Sequence, residues 1–197
     1  MISKKHRRNS LAERIPNNSW ILRFIVAVIF GLVFTAASTI HACDGKGPLA
    51  GVKPLDQNGR MQISPADRCP VCGMKVIRYP KFASAIQLRN RATFYFCSTG
   101  CMIRSWMHPE IYLAATAAER KLPVVQEYFT GREVDARNVI FVFGSDVIGP
   151  MGPALVPVLD ENYLKVFKQR HGAKSQFLLN DMNDDKWFEM TGRKIGK

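Results

Sequence analysis

A chain of 197 residues with 47% apolar side chains is long enough for one domain with a real core. Its formal net charge is +12, but the Lys and Arg from residue 46 onward are scattered, which excludes the basic stripe expected of a nucleic-acid surface. No serine–histidine–acid set, paired carboxylates or phosphate-cradling glycine loop stands out, so the motif content argues against an enzyme.

The N-terminus reads as an export signal. Lys4, Lys5, Arg7, Arg8, Arg14 and Arg23 face a single acid, Glu13, and an apolar run from Phe24 to Phe34 follows. A basic region, a short apolar core and a small residue before the cut are the parts of a secretory signal over residues 1–42. Cys43, directly after Ala42, stands where a bacterial lipoprotein signal places its lipidated residue, and Asp44 resembles the signal that keeps such proteins in the inner membrane. The expected location is the periplasmic side of the inner membrane, with the membrane reached through a lipid anchor. The alternative is an uncleaved anchor, since counting on to Ile40 brings the apolar run near the roughly 20 residues of a spanning helix. The segment takes six basic residues and one acid with it, leaving 22 against 15, or +7.

Residues 43–67 are rich in Gly, Pro and polar side chains without a sustained period and read as a flexible linker. Strands are expected at Phe82 to Arg89 and Thr93 to Cys97, with a turn at Asn90-Arg91. Ser98 caps a helix running to about Met107, where His108-Pro109 ends it, and a third strand follows at Val124 to Thr130. The second half reads alike, with strands at Asn138 to Asp146 and Ala154 to Leu159. Asp160 then caps a helix over Glu161 to His171 that stops at Gly172, and a last strand covers Ser175 to Leu179. The fold class is therefore α+β, two strand–strand–helix–strand repeats packed as one domain over residues 68–182. Residues 183–197 read as a polar, frayed tail.

Four of the five cysteines form two pairs, Cys69-Pro-Val-Cys72-Gly-Met74 and Phe96-Cys97-Ser-Thr-Gly-Cys101-Met102. Thiolate with thioether is the donor set that favours Cu(I) over harder divalent ions, which behind an export signal points to copper handling. Cys69 and Cys72 can chelate one ion from a two-residue turn. Cys101 falls in the first turn of a helix and Cys97 at its edge, where the helix dipole favours thiolate. Two such pairs would make a Cys₄ site, whose default occupant is Zn²⁺. Structural disulfides are the alternative in an oxidising compartment, and redox exchange is a third, weakened by the lack of a thioredoxin-like βαβ pattern.

Met74, beside the first pair, and Met151, in the Gly149-Pro-Met-Gly-Pro153 loop, are the candidate thioether ligands. Met102 and Met107 share a helix with Trp106 and read as core. Asp146 and Gly149 read as loop support, and His108 and His171 as helix-end residues rather than ligands.

The run from Cys69 to Ile86 resembles the start of the NosL family domain, and Gly144 to Pro157 resembles that family's second signature. The resemblance covers about residues 65–182. It implies a periplasm-facing lipoprotein that binds Cu(I) and helps supply a recipient cuproprotein, nitrous oxide reductase. The cysteines of Phe96 to Met102 depart from the common pattern and resemble the Phe-Cys-Ser-x-x-Cys of YHS or TRASH-type metal domains, so the usual ligand set does not carry over unchanged. The reading is a metal-delivery protein. Its rivals are a thiol–disulfide oxidoreductase serving a partner's copper site and a zinc-stabilised binding module.

Overall fold

The computed structural model describes residues 47–195. The signal segment and Cys43 lie outside the described residues. The first hairpin forms where alternation and turn chemistry place it: β1 (Ser84–Leu88) pairs antiparallel with β2 (Thr93–Phe96), matching Ser84 to Phe96 and Gln87 to Thr93. Arg91 takes a φ of 71°, and Asn90 Oδ1 accepts the Ala92 N–H at 2.9 Å, closing the turn locally. Two helices follow, α1 (Thr99–Met107) and the short α2 (Pro109–Tyr112). β3 (Arg120–Gln126) then pairs with the other side of β1, and β4 (Glu133–Asp135) extends the sheet to the order β2-β1-β3-β4.

The second repeat has the same plan. β5 (Ile140–Phe143) is central. A small hairpin of β6 (Ile148–Gly149) and β7 (Gly152–Pro153) leads to β8 (Val156–Val158), α3 (Glu161–His171) and β9 (Ser175–Leu178), in the order β8-β5-β9. In both sheets the first strand of the repeat lies in the middle and its second and third strands flank it. The α+β class and the two strand–strand–helix–strand units agree with the pattern in the sequence. A shared core makes one domain of them: Phe96, Met102 and Val76 from the first half are buried with Phe141, Leu155 and Phe177 from the second.

Three segments differ from the sequence expectation. The third strand begins and ends earlier than Val124 to Thr130, because buried Glu127 turns the chain: its carboxylate accepts the N–H groups of Phe129 (3.0 Å) and Thr130 (2.7 Å). The presumed linker is fixed to the domain from about residue 51. Leu55 is buried, Gly51 N–H donates to Thr93 O, and buried Asp67 accepts from Val52 N–H and Ser64 N–H. The presumed frayed tail contains α4 (Asp184–Thr191), capped by Asn183 and ended by Gly192 in the left-handed region, with Trp187 buried in the main core.

His108 joins this last helix to the first repeat. Its Nε2 lies 2.7 Å from Asp184 Oδ1 and its Nδ1 3.2 Å from Glu110 Oε1. The Asp184 carboxylate, aided by Glu110 and opposed by burial, raises the His108 pKa above the ordinary 6.5. A raised folded-state pKa means that the protonated pair contributes its stability in full below pH 6.5, and that the contribution fades as pH rises through the folded value. Amide protection in residues 184–191 is therefore expected to fall as pH climbs above 6.5, and Asp184→Asn to flatten that dependence. Protection that grows over this range would contradict the pairing.

Candidate metal centre

The sulfurs of Cys69, Cys72, Cys97 and Cys101 all lie within 4.8 Å of one another, and those of Cys72 and Cys97 are 3.4 Å apart. All four are free thiols. Sequence separation does not hinder this: β1, β2 and the start of α1 bring the second pair back onto the loop that carries the first.

The first pair occupies a tight loop closed by a bridge between Arg68 and Lys75. Cys69 N–H donates to Met74 O at 2.9 Å and Gly73 N–H to Cys69 O at 2.8 Å. Gly73 has a φ of +73°, a conformation that costs any residue with a Cβ roughly 1–2 kcal/mol. The turn also points main-chain donors at sulfur. The main-chain groups of Cys97 and Val71 beside Cys69, and of Met74 beside Cys72, favour the thiolate form.

The second pair is placed by the change from strand to helix. Cys97 follows β2 directly, and Ser98 caps α1 by accepting the Cys101 N–H at 3.2 Å, so Cys101 sits at the positive end of the helix dipole. Ser84 Oγ donates to Ser98 O at 3.1 Å, and Thr99 Oγ1 donates to Leu155 O of the second repeat. The turn that carries two of the sulfurs is thereby held from both halves of the domain.

The four thiols titrate as one set. Hydrogen bonds from Cys101 and then Cys97 hold Cys69 far below the ordinary thiol value, against burial. Cys101 first of all also draws Cys72 down, to about 7, again against burial. Cys101 itself is pushed up, first by the neighbouring sulfurs of Cys69, Cys72 and Cys97 and then by burial. Cys97 is lowered most by Cys101, but its bond to Cys69, burial and the Cys69 charge outweigh that, and it too is pushed up. Cys69 is thus the sulfur that gives up its proton most readily, and Cys97 and Cys101 hold theirs longest.

This donor set fits a soft cation. A tetrahedral ion with metal–sulfur bonds of about 2.3 Å needs sulfur–sulfur edges of about 3.8 Å, which small adjustments of the present cluster supply. All-sulfur ligation suits Cu(I) or Zn²⁺ and not Mg²⁺ or Ca²⁺. Cys69, Cys97 and Cys101 are at most 2% exposed, whereas Cys72 is half-buried. The cluster therefore has one more accessible corner.

The other candidate residues are placed differently. Met74 supplies main-chain groups to the first loop, and its side chain is partly buried against the core. Met151, 42% exposed on the β6–β7 turn, lines a cavity of about 640 Å³ that Cys101 also lines. Asp146 is away from the sulfurs, with its Oδ1 2.8 Å from His171 Nδ1 and its N–H donating to His171 O, so it fastens the β5–β6 loop to the end of α3. At Gly149 an added Cβ would come within 3.4 Å of the Phe82 ring, a close packing contact beneath the same turn. Thr99 and Trp187 also line the cavity and were not singled out as site residues in the sequence.

The NosL family model matches residues 60–187. Over 112 residues the chain is 28% identical to the copper-binding lipoprotein NosL of Stutzerimonas stutzeri, a match covering 55% of this chain and 58% of that protein's length. The crystal structure of the copper chaperone NosL from Shewanella denitrificans has the same fold, with a TM-score of 0.56 at 19% identity, covering 68% of this chain and 99% of that one.

The thiolate is the nucleophilic form of cysteine. Metal-free protein is therefore expected to be alkylated by iodoacetamide first at Cys72, with a rate midpoint near pH 7. A midpoint near the ordinary 9.0 would show that the cluster does not share its protons in this way.

Proposed function

The chain belongs to the NosL family, and we propose that it is a membrane-anchored copper carrier that binds Cu(I) at Cys69, Cys72, Cys97 and Cys101 and passes it to a recipient cuproprotein. The observation that carries this reading is the convergence of four unbridged sulfurs in one partly buried cluster. The names of the two relatives supply the metal: both are described by copper and neither by a reaction. On this reading the protein holds an ion and releases it, and catalyses nothing. Nitrous oxide reductase is the recipient that the family resemblance implies.

The geometry suits holding with release. Cu(I) binds two, three or four soft ligands with little change in energy, so sulfurs can be exchanged one at a time. Departure would begin at Cys72, the corner nearest solvent. Met74, two residues on from Cys72, and Met151, in the cavity beside Cys101, are neutral thioethers, weaker than thiolate, and serve as transient ligands. Anchoring follows the lipoprotein relative, with Cys43 as the lipidated residue and the periplasm as the compartment, and the mass of the membrane-extracted chain checks it. Among the described residues no helix is long and apolar enough to cross a membrane.

A second reading, a zinc-stabilised module, is favoured by the Cys₄ set itself. Thiol–disulfide exchange is disfavoured, because the cysteines do not sit in a thioredoxin-like βαβ unit.

Metal loading of the reduced protein separates these readings. One Cu(I) per chain, retained against a competing chelator, is expected. Cys97→Ser should lower metal content and melting temperature together, because binding energy at such a site is folding energy. Met151→Ala should weaken copper retention with the melting temperature unchanged. Zinc retained and copper refused by the wild-type chain would favour the module.

A further inference from the structure

The cavity beside Cys101 has features that the sulfur cluster does not use. Phe82, Phe143, Leu155 and Trp187 give it apolar walls. Among the described residues, the charged side chains lining it are Arg104, Arg193 and Lys194, with no carboxylate. The first turn of α1 lines it as well and brings the positive end of the helix dipole.

Arg104 is one turn beyond Cys101 on the same face of α1. Its Nη2 donates to Tyr112 Oη at 2.8 Å and its guanidinium lies over the Tyr112 ring, yet its Nε is buried without an acceptor. Its contribution to the cavity is its positive charge, which an anionic group would meet. The volume, about 640 Å³, is that of a small-molecule site, and the apolar walls suit an organic body better than a bare inorganic ion. Met151 and the buried Cys101 complete the wall.

We propose that this cavity receives a small anionic thiol carrying Cu(I), whose carboxylates meet Arg104, Arg193 and Lys194 while the copper passes to the cluster through Cys101. The inference rests on the copper reading above and adds the class of donor. Each exchange breaks one bond from copper to the incoming thiolate and forms one to a cysteine sulfur. The released thiolate takes up the proton that the cysteine gives, and copper remains Cu(I).

Glutathione, a tripeptide thiol with carboxylates at both ends, is the probe. Loading of the reduced protein from Cu(I)–glutathione is compared with loading from Cu(I) in acetonitrile, a neutral ligand. Replacing the exposed pair, Arg193→Gln with Lys194→Gln, should slow loading from the glutathione complex at least about fivefold and leave loading from acetonitrile unchanged. Arg104→Gln should act in the same direction. S-methylglutathione, which keeps the carboxylates but cannot deliver copper, should bind the metal-free protein and bind the double variant more weakly by a similar factor. Loading from glutathione that ignores these charges, or absence of S-methylglutathione binding, overturns the inference while normal loading from acetonitrile leaves the copper reading intact. A wild-type chain that takes Cu(I) from neither source overturns the copper reading and this inference with it.

Discussion

Four sulfurs within 4.8 Å of one another, three of them on buried residues, cannot all carry charge without a cation among them. Sharing of protons among them meets this constraint in the metal-free chain, with Cys69 favoured as thiolate and Cys97 and Cys101 as thiols, and a soft cation meets it by displacing the remaining protons. Much of the local structure follows from that requirement. The left-handed Gly73, the Arg68–Lys75 bridge and the Ser98 cap each turn main-chain N–H groups toward sulfur or hold the turn that does so.

The second repeat contributes support and access. Leu155 O holds Thr99 at the start of α1, and Phe141 and Phe177 stack with ring centroids 5.4 Å apart in the shared core. The same repeat turns the β6–β7 hairpin toward the cavity beside Cys101, with Met151 at its tip. A rigid floor and an exposed turn thus flank one edge of the sulfur cluster. That division suits an ion that has to be kept from water and later surrendered.

How much of this the sequence discloses depends on the range of each interaction. Local signals are legible: the Asn90-Arg91 turn, the Ser98 and Asp160 caps and the Gly172 stop act within a few residues, and each falls where the structure has it. Both cysteine pairs are legible for the same reason, because each lies within a single turn. Long-range partners are not. Asp67 reaches back to Val52, Leu55 enters a core built mainly from later residues, and Glu127 bends the chain before the expected strand end. Helix α4 is hidden because its acidic first turn masks a single buried anchor, Trp187, which joins the core shared by both repeats and lines the cavity. The placement of Arg104 beside Cys101 is implied by helical spacing, but a cavity between them and Met151 requires both repeats.

The most direct measurement is X-ray absorption at the copper edge of the reduced, Cu(I)-loaded full chain. The account predicts a sulfur-only first shell of three or four scatterers at about 2.3 Å. A shell dominated by nitrogen or oxygen, or copper held while Cys69, Cys72, Cys97 and Cys101 are joined in disulfides, would contradict it.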